Sequence, residues 1–343
     1  MFERFLIVWL SLLSGLAYLW PRLIGGELDP FVASKPVLPW LISVTMFSVG
    51  CLMRHDEFRQ VVRDWPSVLA GTVLQYTVTP LMAWGFGHLF GLQGGHMVGV
   101  IIVGCVPGAM ASNVLTMMAR GNVSYSVSLT TVSTMVSPVV VPVAMYVCLR
   151  STIPVELWGT AKELLLIVVG PVVAGRVLCR LIRSLEKAMA VVSPVLAPLT
   201  ILWIIAVVVG VNRDSLGKGV AGVLAALASI NLVGYLAGYW GGAAMRFPEG
   251  VRRALTIEMG MQNAGLGVGL AQQLFPTIPE ATIPPALFTV GSMLTATLLV
   301  QAWVWRDRMR GPAEGTHNCD SPTSVPDGEL GSQRVAETRS CDD

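Results

Sequence analysis

Long apolar stretches recur along almost the whole chain, separated by short polar or charged segments. Each stretch is close to the roughly 20 residues that a helix needs to cross the hydrocarbon core of a bilayer. The pattern predicts ten helices with the approximate bounds 3–20, 36–53, 66–90, 96–119, 123–149, 157–180, 190–211, 218–245, 250–274 and 282–305. We therefore expect an all-α polytopic membrane protein with a transmembrane domain over residues 1–310.

Composition and charge agree with that class and add an orientation. The 343 residues are 53% hydrophobic and 13% charged, and the net charge of +2 is too small to indicate a nucleic-acid partner. When the loops are assigned to alternate sides, Lys and Arg concentrate on the side that holds both ends of the chain. The positive-inside rule then places both termini in the cytoplasm. We expect a multi-pass protein of a cell inner (plasma) membrane.

The end of the chain and the cysteines carry less information. Residues 311–343 are polar and rich in Gly, Pro and Ser, so we expect a disordered cytoplasmic tail, because they hold too little apolar surface to offset the entropy of ordering. The six cysteines have no spacing typical of a metal site or a disulfide framework. The first apolar run is interpreted as a retained helix, since Trp20-Pro21-Arg22 is not a small-residue cleavage site.

The fourth and ninth segments resemble each other in kind. Each has a polar pair ending in Asn among small residues, Ser112-Asn113 in the fourth and Gln262-Asn263 in the ninth. Each is also fourth in a set of five helices, and two such sets in succession must have opposite orientations in the membrane. This arrangement is typical of an inverted-topology repeat, a common plan of secondary transporters.

Glu258 is the acidic residue that lies most clearly inside an apolar span. A carboxylate in lipid is costly, and an intramembrane ionisable group is by default interpreted as functional. No basic residue lies deep in any predicted span, so its partner is a proton, a bound cation or a shell of neutral donors. Oxygen-bearing side chains lie in the third, fourth, fifth and ninth segments: Gln75, Ser112, Asn113, Ser126, Thr130 and Gln262. Oxygen ligands suit hard cations such as Na⁺, although Ser and Thr in membrane helices are more often packing residues.

Two motifs resemble a known family. The runs PGAMASNVLTMMARGNVSYSVSLTTVST and EMGMQNAGLGVGLA are similar to those of the bile acid:sodium symporter family in its bacterial ten-helix form, and the resemblance covers roughly residues 1–308. It implies a panel domain of helices 1, 2, 6 and 7 and a core domain of helices 3–5 and 8–10. Helices 4 and 9 would be broken and would cross near the middle of the membrane.

The resemblance also implies roles for individual residues. A first sodium site would use Ser112, Asn113, Ser126, Thr130 and Glu258. A second would use Gln75, Glu258 and Gln262, with the backbone carbonyls of Met259 and Met261. Substrate contacts would come from Asn263, Met110 and Ser292. The chain departs from the family pattern at Gly108-Ala109 and Gly121-Asn122, neither of which removes a ligand, and Met110 and Ser292 differ from the residues of bile-acid-binding members.

The expected function is sodium-coupled import of an organic anion by alternating access, with two Na⁺ ions carried. The anion would be bile-acid-like or a smaller carboxylate such as pantoate or an oxo acid. A proton-coupled organic anion transporter and a related anion or metalloid exporter remain alternatives. We do not expect an enzyme, because Ser112 has no His or Lys within a span to activate it and Glu258 has no second acid. The sequence pattern does not specify an oligomeric state.

Overall fold

The computed structural model describes residues 6–23, 29–53, 63–150, 156–214 and 220–309, and these are helical without a β-strand. The predicted tail, 311–343, lies outside the described residues. We number the helices as follows: α1 Leu6–Leu23, α2 Leu38–Leu52, α3 Trp65–Leu89, α4 Gly94–Cys105, α5 Ala111–Met118, α6 Val123–Leu149, α7 Leu157–Leu181, α8 Arg183–Val211, α9 Val220–Ala244, α10 Glu249–Gly260, α11 Ala264–Leu274 and α12 Ile283–Met309. Short helical turns lie at Pro30–Ala33, Lys35–Val37 and Pro279–Thr282, and α7 contains a π-helical turn at Leu165–Val169.

Within the described residues, five helical segments are long and apolar enough to cross a membrane: Pro30–Leu52, Val123–Leu149, Leu157–Leu181, Val220–Ala244 and Pro279–Met309. Shorter apolar segments lie at Gly94–Cys105 and Leu199–Val211. Large apolar side chains cover the outer surface, and Trp40 and Trp158 are 74% and 84% exposed. Extended apolar surface of this kind is typical of a protein that faces lipid. The predicted class, a helical membrane protein, is confirmed.

The helix bounds differ from the predicted ones in two respects. α8 begins at Arg183, although hydropathy placed the seventh helix from about residue 190. Its first turns carry charged side chains, which a hydropathy criterion excludes although they extend a helix readily. Hydropathy gave one helix over 250–274, but the segment contains two, α10 and α11, which is the break that the family resemblance implied. The segment 96–119 is divided in the same way into α4 and α5.

The helices pack in two groups. In one, α2 lies against α7 and α8, and α1 lies against α8. In the other, α3 lies against α4, α6 and α9, and α9 lies along α10. The two groups touch where α6 contacts α7 and where α11, which packs on α12, contacts α2. The short helices α5 and α10 meet each other and α6 inside the second group, and the polar site lies there.

Arg213 ties the end of α8 to α1 and to the segment before α2. Its Nε donates to the carbonyl oxygen of Ala17 at 2.8 Å, and its Nη1 lies 2.5 Å from Oδ2 of Asp29. Asp29 also accepts from the backbone N–H of Phe31 at 3.0 Å. Burial raises the pKa of the Asp29 carboxyl, but the hydrogen bonds from Arg213 and the backbone outweigh it. The pKa of Asp29 therefore lies below its usual value.

Candidate functional site

Two non-helical segments cross at the centre of the second group. One connects α4 to α5 and the other connects α10 to α11. Gly108 and Gln262 form an antiparallel bridge. Two backbone hydrogen bonds join the segments, from Ala109 N to Met261 O at 2.9 Å and from Asn263 N to Pro107 O at 2.7 Å. A broken helix leaves backbone N–H and C=O groups unpaired. The hydrogen bonds between the two segments satisfy these groups, so both segments can be non-helical in the interior, where water is absent.

The residue types explain why the fourth segment breaks here. Pro107 has no backbone N–H and disfavours a helical conformation in the residue before it, and Val106 is accordingly extended, with φ −72° and ψ 154°. Gly108 faces the carboxyl group of Glu258 so closely that a Cβ atom at this position would overlap it. Glycine therefore allows the backbone of the crossover to lie directly against the carboxylate.

Glu258 lies in the last turn of α10 and is fully buried. Ser112 of α5 donates a hydrogen bond to Oε2, and Thr130 of α6 donates to Oε1 at 2.5 Å. The ion pairs among the described residues do not include Glu258. Both carboxylate oxygens thus accept from neutral hydroxyl groups, and no cationic side chain of the described residues is paired with them.

The other residues of the first predicted set lie on the same two helices. Asn113 follows Ser112 on α5, and its side-chain oxygen Oδ1 is buried without a hydrogen-bond partner. Ser126 on α6 is fully buried; its carbonyl oxygen lies 3.0 Å from Thr130 Oγ1, and its hydroxyl accepts from Thr116 at 3.3 Å. A buried amide oxygen without a donor is costly unless another group satisfies it.

The second predicted set meets around the end of α10. Gln75 of α3 is fully buried, and its Nε2 donates to Oε1 of Gln262 at 3.2 Å. Nε2 of Gln262 donates to the carbonyl oxygen of Met259 at 3.1 Å. Oε1 of Gln75 is buried without a hydrogen-bond partner. The carbonyl oxygen of Met261 accepts from the crossing segment. The structure therefore brings these four residues together around the end of α10.

The three predicted substrate residues belong to three different elements. Asn263 caps α11, with Oδ1 accepting from Leu266 N at 3.1 Å, and Met110 is the residue before α5. Both are half-buried at the crossover. Ser292 lies on α12 and is only 3% exposed, and its carbonyl oxygen accepts from the hydroxyl of Tyr235 at 3.4 Å. Among the hydrogen bonds of the described residues, none joins Ser292 to Asn263 or Met110.

Two supporting residues were missed in the sequence analysis. Asn231 of α9 is buried, and its Nδ2 donates to the carbonyl oxygen of Gly260 at 2.7 Å, where α10 ends. The hydroxyl oxygen of Thr79 of α3 lies 2.8 Å from the carbonyl oxygen of Gln75 and 2.7 Å from that of Gly104, and its one proton can be donated to either. Asn231 could have been found by the criterion that marked Gln75, since both are amides within an apolar segment.

A cavity of about 650 Å³ lies elsewhere, between α1, α2 and α8. Its lining is apolar apart from Thr200 and includes Trp9, Leu41 and Trp203. None of the crossover residues lines it. An apolar cavity of this kind offers no ligand for an ion, so the chemistry of the protein is assigned to the crossover.

Fold and site together define a class, a helical membrane protein with a buried acid where two interrupted helices cross. Comparison with known sequences gives the family. The model described as "Sodium Bile acid symporter family" matches residues 39–218, a range that includes Gln75, Ser112 and Thr130 and ends before Glu258. The protein belongs to this family.

Individual relatives agree with that assignment. The chain is 31% identical to the uncharacterized sodium-dependent transporter YocS of Bacillus subtilis over 296 residues, which are 86% of this chain and 89% of that protein. It is 31% identical over 262 residues to the probable sodium/metabolite cotransporter BASS1, chloroplastic, of Arabidopsis thaliana, covering 76% of this chain and 65% of that protein. It is 28% identical over 263 residues to the corresponding BASS2 protein of Oryza sativa subsp. japonica, covering 77% and 62%. The chain thus spans less than two thirds of these two plant relatives.

Proposed function

We propose that this protein is a sodium-coupled secondary transporter that imports an organic anion across the plasma membrane. The relatives named as sodium-dependent transporters and sodium/metabolite cotransporters support the coupling ion and the class of cargo. The moving parts would be a panel of α1, α2, α7 and α8 and a core of α3–α6 and α9–α12. The closer packing within each set supports this division, with α6–α7 and α11–α2 among the contacts between the sets.

The observation that carries the proposal is the environment of Glu258. An ionised carboxylate that is fully buried needs a counter-charge, because desolvation without one costs several kcal/mol or more. A hydroxyl group lies within hydrogen-bond distance of each of its oxygens, Ser112 at Oε2 and Thr130 at Oε1, so the ionised form can accept from both. A bound cation would supply the charge that the described side chains do not.

The ligands around this carboxylate favour sodium. Two buried amide oxygens of residues near the crossover have no hydrogen-bond partner among the described residues, Oδ1 of Asn113 and Oε1 of Gln75. Each belongs to a different one of the two expected sodium sites, and each has lone pairs for a hard cation. We therefore assign one Na⁺ to Ser112, Asn113, Ser126, Thr130 and Glu258. The other is assigned to Gln75, Glu258 and Gln262 with the carbonyls of Met259 and Met261.

The anion would bind beside the sodium sites, at the half-buried face of the crossover. α5 and α11 begin there, and helix N-termini carry partial positive charge. Asn263 uses its side-chain oxygen to cap α11, and the hydrogen bonds of the described residues do not occupy its Nδ2, which would donate toward a carboxylate or sulfonate. Met110 adds an apolar contact. Small organic monoanions, either bile-acid-like or smaller, are therefore the proposed substrates.

Coupling follows from binding both ligands to one pair of segments. Sodium at Glu258 would hold the crossing segments in the geometry that places Asn263 and Met110. By linkage, the anion must then raise the affinity for sodium by the same factor. Movement of the core against the panel would expose the loaded site to the other side of the membrane. We further propose ten spans in a five-plus-five inverted repeat, with both termini in the cytoplasm, from the helix breaks and the Lys and Arg distribution.

Sodium binding is tested first, since the transported anion is unidentified. Radioactive sodium is equilibrated with detergent-solubilised wild type, Glu258→Gln and the control Glu186→Gln, at constant ionic strength with choline. Glu186 is an exposed glutamate of α8, outside the proposed core. We expect saturable binding of two ions in wild type and in the control, and loss of binding in Glu258→Gln. No saturable binding in wild type, or unchanged binding in Glu258→Gln, would refute the proposal.

Transport separates sodium coupling from its rivals. Proteoliposomes are screened with carboxylates and sulfonates under an inward gradient of either sodium or protons. Uptake that needs sodium supports the proposal. Uptake driven by a proton gradient without sodium would identify the proton-coupled alternative, and efflux that is independent of both gradients would identify an exporter.

A further inference from the structure

Arg253 lies on the same helix as Glu258, five residues earlier, and only 7% of it is exposed. Its guanidinium group has acceptors on three sides. Nη1 and Nη2 form a bidentate pair with the carboxylate of Asp307 on α12, at 2.7 and 2.9 Å. Nε lies 3.1 Å from Oε1 of Glu249, and Nη1 also donates to the carbonyl oxygen of Ala119 at 2.8 Å.

A buried guanidinium is tolerated only when its donors are satisfied, and here all three nitrogen atoms are paired. The bidentate arrangement fixes the plane of the group as well as its position. Asp307 has a second neighbour, Arg306, at 3.8 Å. Arg253 is therefore held rigidly, and the carbonyl group of Ala119 is held with it.

Ala119 directly follows α5, so the contact fixes the C-terminal end of that helix. The N-terminal end of α5 is fixed by Ser112, which donates to Glu258. α5 thus contacts α10 at both ends, through Arg253 at one end and Glu258 at the other. The helix has eight residues and is about 12 Å long. A shift of its C-terminal end would change the position of Ser112 and Asn113 relative to the carboxylate.

We propose that Arg253 is a positioning residue for the first sodium site, acting through α5 and touching neither ion nor substrate. The inference rests on the proposed sodium-coupled function. Arg253 holds the ligands of α5 at the distance from Glu258 that sodium requires. Its loss should lower the affinity for sodium and leave the number of sites unchanged, because every ligand is still present.

Neighbouring Arg252 provides a matched control. It has the same side chain and lies on the same helix, but its guanidinium lies 4.0 Å over the ring of Tyr239 and its Nη1 lies 3.5 Å from Glu249. These contacts reach α9 and α10 and do not include α5. Arg252→Gln removes the same charge from the same end of α10 and leaves the hydrogen bond from Arg253 to the carbonyl oxygen of Ala119 intact.

The test is equilibrium binding of radioactive sodium to full-length wild type, Arg253→Gln, Arg253→Lys and Arg252→Gln in detergent. We expect half-saturation of Arg253→Gln to need about 2- to 30-fold more sodium, the range of effects found for changes within a coupled network. The number of ions bound at saturation should stay at the wild-type value. The sodium concentration at half-saturation of Arg253→Lys should lie between those of wild type and Arg253→Gln. An ammonium group can donate to Ala119 or Asp307, but it cannot form the bidentate pair of a guanidinium. Arg252→Gln should bind as wild type.

The outcomes separate the explanations. Wild-type half-saturation in Arg253→Gln would overturn the proposal, and so would fewer bound ions with unchanged half-saturation, because that pattern indicates a misfolded fraction. If Arg253→Gln does not fold, Asp307→Asn replaces it in the test. This variant retains the contact from Arg253 to Ala119 and should raise the sodium concentration at half-saturation by a smaller factor. An unchanged half-saturation in Asp307→Asn would also overturn the proposal. Failure of the proposed function is distinct, since wild type itself would then bind no sodium.

Discussion

Gly234 offers a way to disturb one proposed sodium ligand without removing any side chain. It lies on α9, where that helix passes α10, and a Cβ atom at this position would lie 2.8 Å from the carbonyl oxygen of Met259. Met259 O is a proposed ligand of the second ion. The obstructing group is backbone, so it cannot turn away as a side chain would. Gly234→Ala should therefore displace the carbonyl.

The size of the displacement follows from that distance. Real Cβ atoms essentially never approach another heavy atom within 3.0 Å, and ordinary contact begins at 3.4 Å, so the carbonyl oxygen must move by about 0.2 to 0.6 Å. Metal–ligand distances tolerate about 0.2 Å. Overpacking costs about 1 to 3 kcal/mol. If the sodium-bound state is destabilised by about 1 kcal/mol more than the sodium-free state, the affinity for sodium falls about fivefold.

Gly241→Ala is the matched control on the same helix. Its Cβ would lie 2.7 Å from Cδ2 of Leu74, the far end of a flexible side chain, which can rotate away. Sodium binding is measured for both variants, together with thermal unfolding in choline. We expect half-saturation to rise about fivefold in Gly234→Ala alone. Wild-type binding in Gly234→Ala, or equal shifts in both variants, would refute the argument that Met259 O is a ligand.

Two further predictions concern stability. Asn231→Leu leaves the carbonyl oxygen of Gly260 without its donor at the end of α10. The free energy of unfolding should therefore fall by about 1 to 3 kcal/mol, which thermal unfolding in detergent measures. Unchanged stability would contradict this prediction. The pKa of Asp29 lies below 3.8, so its pairing with Arg213 stabilises the fold above that pH and this contribution is lost as the pH falls through the lower folded-state value. Asp29→Asn should therefore lower the melting temperature at pH 7 and flatten its decline below about pH 4, and an unchanged acid limb would contradict the assignment.

Hydropathy was sufficient for the helical class because the bilayer imposes it. Backbone groups in lipid must be satisfied within the segment, so runs of apolar residues can only be helices here. The same argument marked Glu258 and Gln75, since polar groups in such runs are costly. It also applied to Asn231, which the sequence analysis overlooked. The start of α8 at Arg183 was missed because hydropathy detects the apolar part of a helix and not its charged first turns.

Local patterns could not show which polar groups meet. Ser112 and Thr130 reach Glu258 from two other helices, and Gln75 reaches Gln262 from a third. The family resemblance implied these sets, but the residues themselves left them open. The role of Ser292 stays a prediction, since the structure shows only that its carbonyl oxygen accepts a hydrogen bond from Tyr235.

The sequence by itself therefore determined which segments form apolar helices, that two of them are rich in small and polar residues, and that one acid lies clearly inside a span. Tertiary structure decided that the interruptions pair with each other, so that Gly108 lies against Glu258 and the backbone of 261–263 is satisfied by a segment far away in the chain. It also decided that Arg253 joins α10 to α5 and α12. The physical reason is that composition limits what each segment can be, whereas a binding site depends on distances between segments, which only the packing of helices sets.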